Sequence, residues 1–259
     1  MSALRIKVIQ INIYKGCYLE DLIRFLKKED PDFVTMQEVT EGGFNLCADK
    51  SASVFDLLHD RLGMHGEYYG DLKLKGEIGA KFGNAVFSKS RIIGKHVLVL
   101  KKFRPVTNME LDGKSGEIRE QIDRHLLDAV VNFHGRVLHI LSWHGAWTAP
   151  PADTKETFRQ STLVYKYLKE LNDPFILGGD LNAVVGSKTV DMIGKIANNL
   201  MLGTNVKMTT NVKVHKIAPL GFLIDYIFVS GEFAVKSLRV PQVTVSDHLP
   251  VIAEVEIDA

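Results

Sequence analysis

Residues 4–13 alternate apolar and polar side chains, the period of a strand buried on one face. Leu19, Leu22, Ile23 and Leu26 then share one helical face, which predicts an amphipathic helix over 18–28. Pro31 stops it, and residues 32–36 read as a buried strand. The pattern predicts a second helix over 51–62 and strands over 85–88 and 92–100. Residues 126–133 and 136–143 form an expected hairpin through the His134-Gly135 turn. The longest helical pattern covers 154–171 and ends at Asn172-Asp173-Pro174; a short buried strand follows at 175–177. A helix over 187–200 and strands over 206–214, 222–229, 234–240 and 249–257 complete the chain. Strands outnumber helices, and hairpins mix with strand-helix-strand units. That is neither a barrel nor a doubly wound sheet. Two mixed sheets packed face to face with helices outside fit it.

A chain of 259 residues can bury a large core, and no linker or repeat divides it, so one domain over 1–259 is expected. No apolar run approaches the roughly 20 residues that span a bilayer, and the start of the chain alternates, unlike a signal-peptide core. Two cysteines, Cys17 and Cys47, are too few for a disulfide framework and suit a reducing compartment. A cytoplasmic protein is the expectation.

The net charge is only +1, but it is unevenly spread. Residues 78–109 contain no acid and seven cations: Lys81, Lys89, Arg91, Lys95, Lys101, Lys102 and Arg104. Residues 192–224 again contain no acid, with Lys195, Lys207, Lys213 and Lys216. Two readings stand: solvated surface, or a basic rim for an anionic partner.

Polar and acidic residues collect where strands end: Asn12, Gln37-Glu38, His144, Asp180, Asn182 and Asp247-His248. Asp225 lies inside the apolar run Phe222 to Phe228, where a carboxylate is costly unless it is paired or binds a metal. The set Asn12, Gln37-Glu38, Gly179-Asp180-Leu181-Asn182, Ile224-Asp225-Tyr226-Ile227-Phe228 and Ser246-Asp247-His248 resembles the endonuclease/exonuclease/phosphatase superfamily. Five short motifs occur in the family's order from residue 12 to residue 248.

The resemblance implies a deoxyribonuclease-I-like, four-layer α/β sandwich. It also implies metal-dependent hydrolysis of phosphate esters. Glu38 would be the metal ligand, since hard oxygen donors suit Mg²⁺ or Mn²⁺. Asn12 and Asp247 would assist. Asp180 would orient or deprotonate water, and Asn182 would hydrogen-bond a phosphate oxygen. Asp225 and His248 resemble the family's carboxylate–imidazole pair, with either His248 or Asp180 taking the proton. His144 would contact phosphate, unless it is a packed residue beside Trp143 and Trp147. Asn84 resembles a substrate-facing residue and equally a turn asparagine. Arg124 or Arg119 would bind phosphate, against a solvated face. Some repair nucleases carry an acid where this chain has Tyr14. His139, of opposite strand parity to His144, reads as structural.

The two basic segments make nucleic acid the first substrate expectation, with a nuclease or repair phosphodiesterase as the activity. A small-molecule or lipid phosphodiesterase or phosphatase is the alternative. A catalytically silent binding module is a third reading, though none of the five central polar residues is missing. No Walker loop, His-Glu-x-x-His, Gly-x-Ser-x-Gly or zinc-spaced cysteine pair competes. Nothing in the sequence sets the oligomeric state.

Overall fold

The alternating start of the chain becomes β1 (Ala3–Asn12). Its Ile9 and Ile11 pack under α1 (Leu19–Glu29) and α2 (Val54–Leu62), together with Val34 and Met36 of β2 (Phe33–Glu41). Its Ile6 and Val8 turn the other way, into the space between two sheets. The computed structural model describes residues 3–42, 52–75, 80–107, 110, 117–215 and 220–258.

The remaining strands are β3 (His65–Lys73), β4 (Lys81–Ser88), β5 (Ile92–Lys101), β6 (Arg124–Phe133), β7 (Arg136–His144), β8 (Phe175–Asp180), β9 (Asn198–Asn199), β10 (Asp225–Val229), β11 (Ala234–Arg239) and β12 (Val251–Asp258). They form two six-stranded sheets, ordered β11-β12-β1-β2-β4-β3 and β5-β6-β7-β8-β10-β9. Each contains one parallel pair at its centre, β1 with β2 and β7 with β8, so both sheets are mixed. A short α3 (Glu117–Gln121) precedes β6. Helices α4 (Lys155–Glu170) and α5 (Lys188–Gly194) bury Val164, Leu168, Val190 and Ile193 against the second sheet. The layers are thus helices, sheet, sheet, helices. Trp143, Tyr226, Phe33 and Phe228 are fully buried among them, each such side chain stabilising the fold by about 1.5–3 kcal/mol.

Local signals explain the helix starts. Thr154 and Thr157 form a reciprocal capping box at α4, and Ser53 accepts the Asp56 N–H at α2, three residues later than the pattern suggests. The helix expected over 187–200 ends at Gly194. The strand expected over 206–214 is a turning loop. Thr209 Oγ1 accepts the N–H groups of Ile224 and Asp225, and only a bridge from Thr210 to His248 is strand-like. Strand β3 escapes the pattern because Gly66 and Gly70 interrupt it.

Among the described residues no helix is long and apolar enough to cross a membrane. Cys17 is disulfide-bonded.

Candidate active site

Two parallel strand pairs end at the same edge of the sandwich, and the predicted residues sit there. Asn12 ends β1, His144 ends β7, and Asp180 ends β8 directly opposite Asp225 of β10. Glu38 is delivered by an irregularity. The pairing of β2 with β4 shifts between Met36 and Val39, and Glu38 has a φ of 58°. Val34 and Met36, its neighbours by parity, face the helices. A bulge re-aims a side chain in this way.

The centre is a chain of contacts. Asp225 Oδ2 lies 2.8 Å from His248 Nδ1. His248 Nε2 lies 3.8 Å from Asp180 Oδ2, and His144 Nε2 lies 3.6 Å from the same oxygen. Asn12 Nδ2 donates to Asp180 Oδ2 at 3.0 Å, and its side chain also hydrogen-bonds the Glu38 carboxylate. Asn182, with a φ of 50°, donates its backbone N–H to Asp180 Oδ1 at 3.0 Å. Ser246 Oγ donates to the Asn12 carbonyl and ties the last loop to β1. Beneath, Gln10, Thr35, Gln37 and Ser142 form a buried polar network between the sheets. Gln10 Nε2 extends it to Asp225 Oδ1 at 3.4 Å.

Burial and charge act together here. Burial pushes Asp180 up to about 7, helped by the Asp225 charge and opposed by His248 and by hydrogen bonds from Asn12 and Asn182. Burial likewise raises Asp247 to about 6. For His248, burial favours the neutral ring. The charges of Asp225, Asp180 and Asp247 overcome it and hold the imidazole well above its ordinary range. His144 is driven well below that range by burial, and the Arg124 charge adds to the effect. Glu38 is held low: burial opposes ionisation, but the Lys15 ammonium, 3.0 Å from Oε2, outweighs it.

The sequence-predicted residues divide into groups. Glu38, Asn12, Asp180, Asn182, Asp225, Asp247, His248 and His144 come together. Arg124 is buried beside them, donating Nε to the Gly145 carbonyl at 2.7 Å. Asn84 is buried and donates its amide to the His125 and Ser142 carbonyls, so it bridges the sheets. Arg119 stacks over the Trp147 ring at 4.9 Å. His139 lies apart, on Asp128 at 2.7 Å.

Two members were not singled out in the sequence. Lys15 follows Asn12 in a 3-10 turn, and a lone lysine carries no motif. His215 lies in the loop after Asn211, with Nε2 4.0 Å from Asp247 Oδ2 and its ring 5.4 Å from that of His248. Among the described residues, potential cation donors gather in two sets, His215–Asp247–His248 and Asp180–Asp225–His248, each within 4.8 Å. Glu38 belongs to neither set; its carboxylate is engaged by Lys15.

The basic segments look different in three dimensions. Lys81, Lys89, Lys95, Lys101 and Arg104 are ion-paired with Glu41, Asp30, Glu67, Glu156 and Glu110. Lys89 also sits at the far end of β4 from the site. Lys195, Lys207 and Lys213 are exposed, and Lys216 lies outside the described residues.

Residues 9–248 match the Endonuclease/Exonuclease/phosphatase family. Solved structures share the fold. An endonuclease/exonuclease/phosphatase from Bacteroides vulgatus superposes with a TM-score of 0.74 at 18% identity, covering 98% of this chain and 100% of that one. A mannosyl-6-phosphatase from Bacteroides thetaiotaomicron gives 0.70 at 19%, covering 96% and 99%. The catalytic domain of human Nocturnin, with bound sulfate, gives 0.68 at 17%, covering 98% and 94%. No curated protein matches the sequence.

Proposed function

Because the chain belongs to the endonuclease/exonuclease/phosphatase family, we propose that this site hydrolyses phosphate esters with a divalent cation, Mg²⁺ or Mn²⁺. The observation that carries the reading is the run Asp225–His248–Asp180–Asn12, closed by Glu38 in the same cleft. The donors suit a hard cation. Asp180 and Asp247 are both held above the usual carboxylate range, a surplus of buried negative charge that a divalent ion would relieve. Glu38, Asn12 and Asp247 would hold it. When bound, the ion supplies Lewis-acid stabilisation of charge growing on the phosphoryl oxygens.

The protein groups divide the remaining work. Asp180, held in place by Asn12 and the Asn182 N–H at the centre of the cleft, takes the proton from the attacking water. His248, kept cationic by Asp225, faces the phosphoryl oxygens as a positive donor. His144 stays neutral, and donates a hydrogen bond as Asn182 does. Arg124, buried with no carboxylate in ion-pair range among the described residues, supplies a guanidinium to the phosphate.

For the substrate, the ion pairing of five cations in the first basic segment weakens the argument for a polyanion. A compact phosphate ester is the reading we adopt over nucleic acid. The test is turnover of an aryl phosphate, an aryl phosphodiester and a DNA oligonucleotide with Mg²⁺, with and without chelator. Chelator-sensitive turnover of a small ester, lost in Asp180→Asn and His248→Ala, is expected. No chelator-sensitive turnover of any of the three would overturn the reading. Preferential cleavage of the oligonucleotide would overturn the choice of substrate.

A further inference from the structure

Lys15 is the one ammonium in ion-pair contact with the carboxylate expected to bind the cation, among the described residues. Its Nζ lies 3.0 Å from Glu38 Oε2, and both side chains are about four-fifths covered, at 19% and 18% exposure. The ammonium also sits 5.1 Å over the Tyr14 ring and 5.9 Å over the Phe82 ring. Phe82 in turn lies 6.1 Å from the His144 ring, so one aromatic ring neighbours both Lys15 and the side of the cleft given to phosphate. The turn that presents it is unusual. Tyr14 and Lys15 are consecutive non-glycine residues at φ of 47° and 56°, a conformation that side chains disfavour. It is tied to the site because the Tyr14 N–H donates to Asn12 Oδ1 at 3.1 Å. Strain of this kind persists where surrounding structure enforces it, and such places cluster at functional sites.

An ammonium and a divalent cation on one carboxylate repel. A cation arriving at Glu38 therefore loosens the contact of Lys15 with Oε2. The displaced ammonium loses its ion-pair partner in a covered cleft, and Asp247, the other carboxylate that acts on it, is itself expected to hold the cation, so a further anion is favoured. A phosphoryl group supplies that anion on the His144 side. We propose that Lys15 is a positioning residue that holds Glu38 in the unloaded site and then passes to the phosphate, so that cation and phosphoryl group bind cooperatively. This rests on the reading of Glu38 as a cation ligand. It adds a linkage between two ligands that the reading does not require.

Linkage makes the idea measurable without turnover. Mn²⁺ affinity is followed by electron paramagnetic resonance with and without inorganic phosphate, in the wild type, Lys15→Met and Lys15→Asn. Asparagine tolerates the left-handed backbone, so one neutral variant keeps the turn even if the other does not. In the wild type, phosphate is expected to tighten Mn²⁺ binding by on the order of tenfold or more, within the usual range of coupling. The neutral variants should bind Mn²⁺ alone several-fold tighter than the wild type does, and phosphate should help them much less. Unchanged or weaker Mn²⁺ affinity in both variants, or undiminished coupling, overturns the proposal and leaves the hydrolase reading standing. A wild type that binds no Mn²⁺ at either phosphate level overturns both.

Discussion

Replacing Asp180 by asparagine should stabilise the protein while disabling it, and the size of the gain follows from the site's electrostatics. Asp180 is 1% exposed and its carboxyl is pushed from an ordinary 3.8 to about 7. The folded state therefore binds the proton more tightly than the unfolded chain. Between these two values the folded protein carries more protons, so stability falls as pH rises through the window. Each tenfold gain in proton affinity corresponds to about 1.4 kcal/mol, which gives a ceiling of about 4 kcal/mol above pH 7. Coupling to His248 and relaxation around the buried charge reduce this, so a gain of about 1–3 kcal/mol is expected for Asp180→Asn at pH 8. Asparagine can still accept from Asn12 or from the Asn182 N–H. The assay is urea denaturation of both proteins in chelator at pH 8 and pH 5. The stability difference should be clear at pH 8 and shrink at pH 5, where the wild-type carboxyl is largely protonated. In thermal melts the pH 8 gain should appear as several degrees, since 1 kcal/mol moves a chain of this size by about 2–4 °C. A variant less stable than wild type by the same amount at both pH values would refute the electrostatic account.

Three further outcomes follow from the same geometry. Asp225→Asn removes the main charge that holds His248 protonated; the ring should titrate lower by NMR and turnover should fall by on the order of a hundredfold, and an unchanged titration would contradict the assignment. Gly178→Ala places a Cβ 2.0 Å from Thr35 Oγ1 and 2.9 Å from Gln10 Oε1, so overpacking should cost about 1–3 kcal/mol in denaturant melts; a neutral substitution would mean that the network between the sheets yields easily. Raising salt from 50 to 200 mM should change KM for a small phosphate ester by less than about threefold, because a site without a polyanion track lacks the steep counterion release of roughly 10³ or more.

How far the sequence reveals the molecule depends on the kind of signal each residue carries. The layered architecture was legible because period-two and period-3.6 patterns report burial directly. Ile9 and Ile11 on one face of β1, and Ile6 and Val8 on the other, are where alternation puts them. The strand-end residues were legible because buried carboxylates such as Asp225 stand out within apolar runs. Strand β3 was hidden, since its glycines carry no hydrophobic period. The loop after Val206 was misread as a strand because the apolar spacing gave no sign that the Thr209 and Thr210 hydroxyls would turn back to accept the backbone N–H groups of Ile224 and Phe222. Lys15 and His215 were illegible for another reason: neither residue type is rare, and only the fold brings them to Glu38 and Asp247. A charge count along the chain sees only sequence neighbours. Acid-free stretches along the chain find their acids across it, as Lys81 does with Glu41 and Lys95 with Glu67.

The backbone supports the same division between scaffold and site. Six non-glycine residues of the described chain have positive φ: Tyr14, Lys15, Asp30, Glu38, His134 and Asn182. Asp30 caps α1 and His134 sits in the β6–β7 turn, where the left-handed conformation closes an element. The other four have no such local reason, and all of them border the cleft. Each aims a group at the centre: Glu38 by the bulge, Asn182 through its N–H on Asp180, and Tyr14 and Lys15 through the turn tied to Asn12. Left-handed backbone at non-glycine positions is unfavourable in isolation, and the buried carboxylates it brings together repel one another. Local geometry and electrostatics thus both work against the folded state at one place, while the apolar layers on either side hold that place closed. A site whose groups are strained and charged before any ligand arrives is arranged to gain most from binding a cation and an anion together.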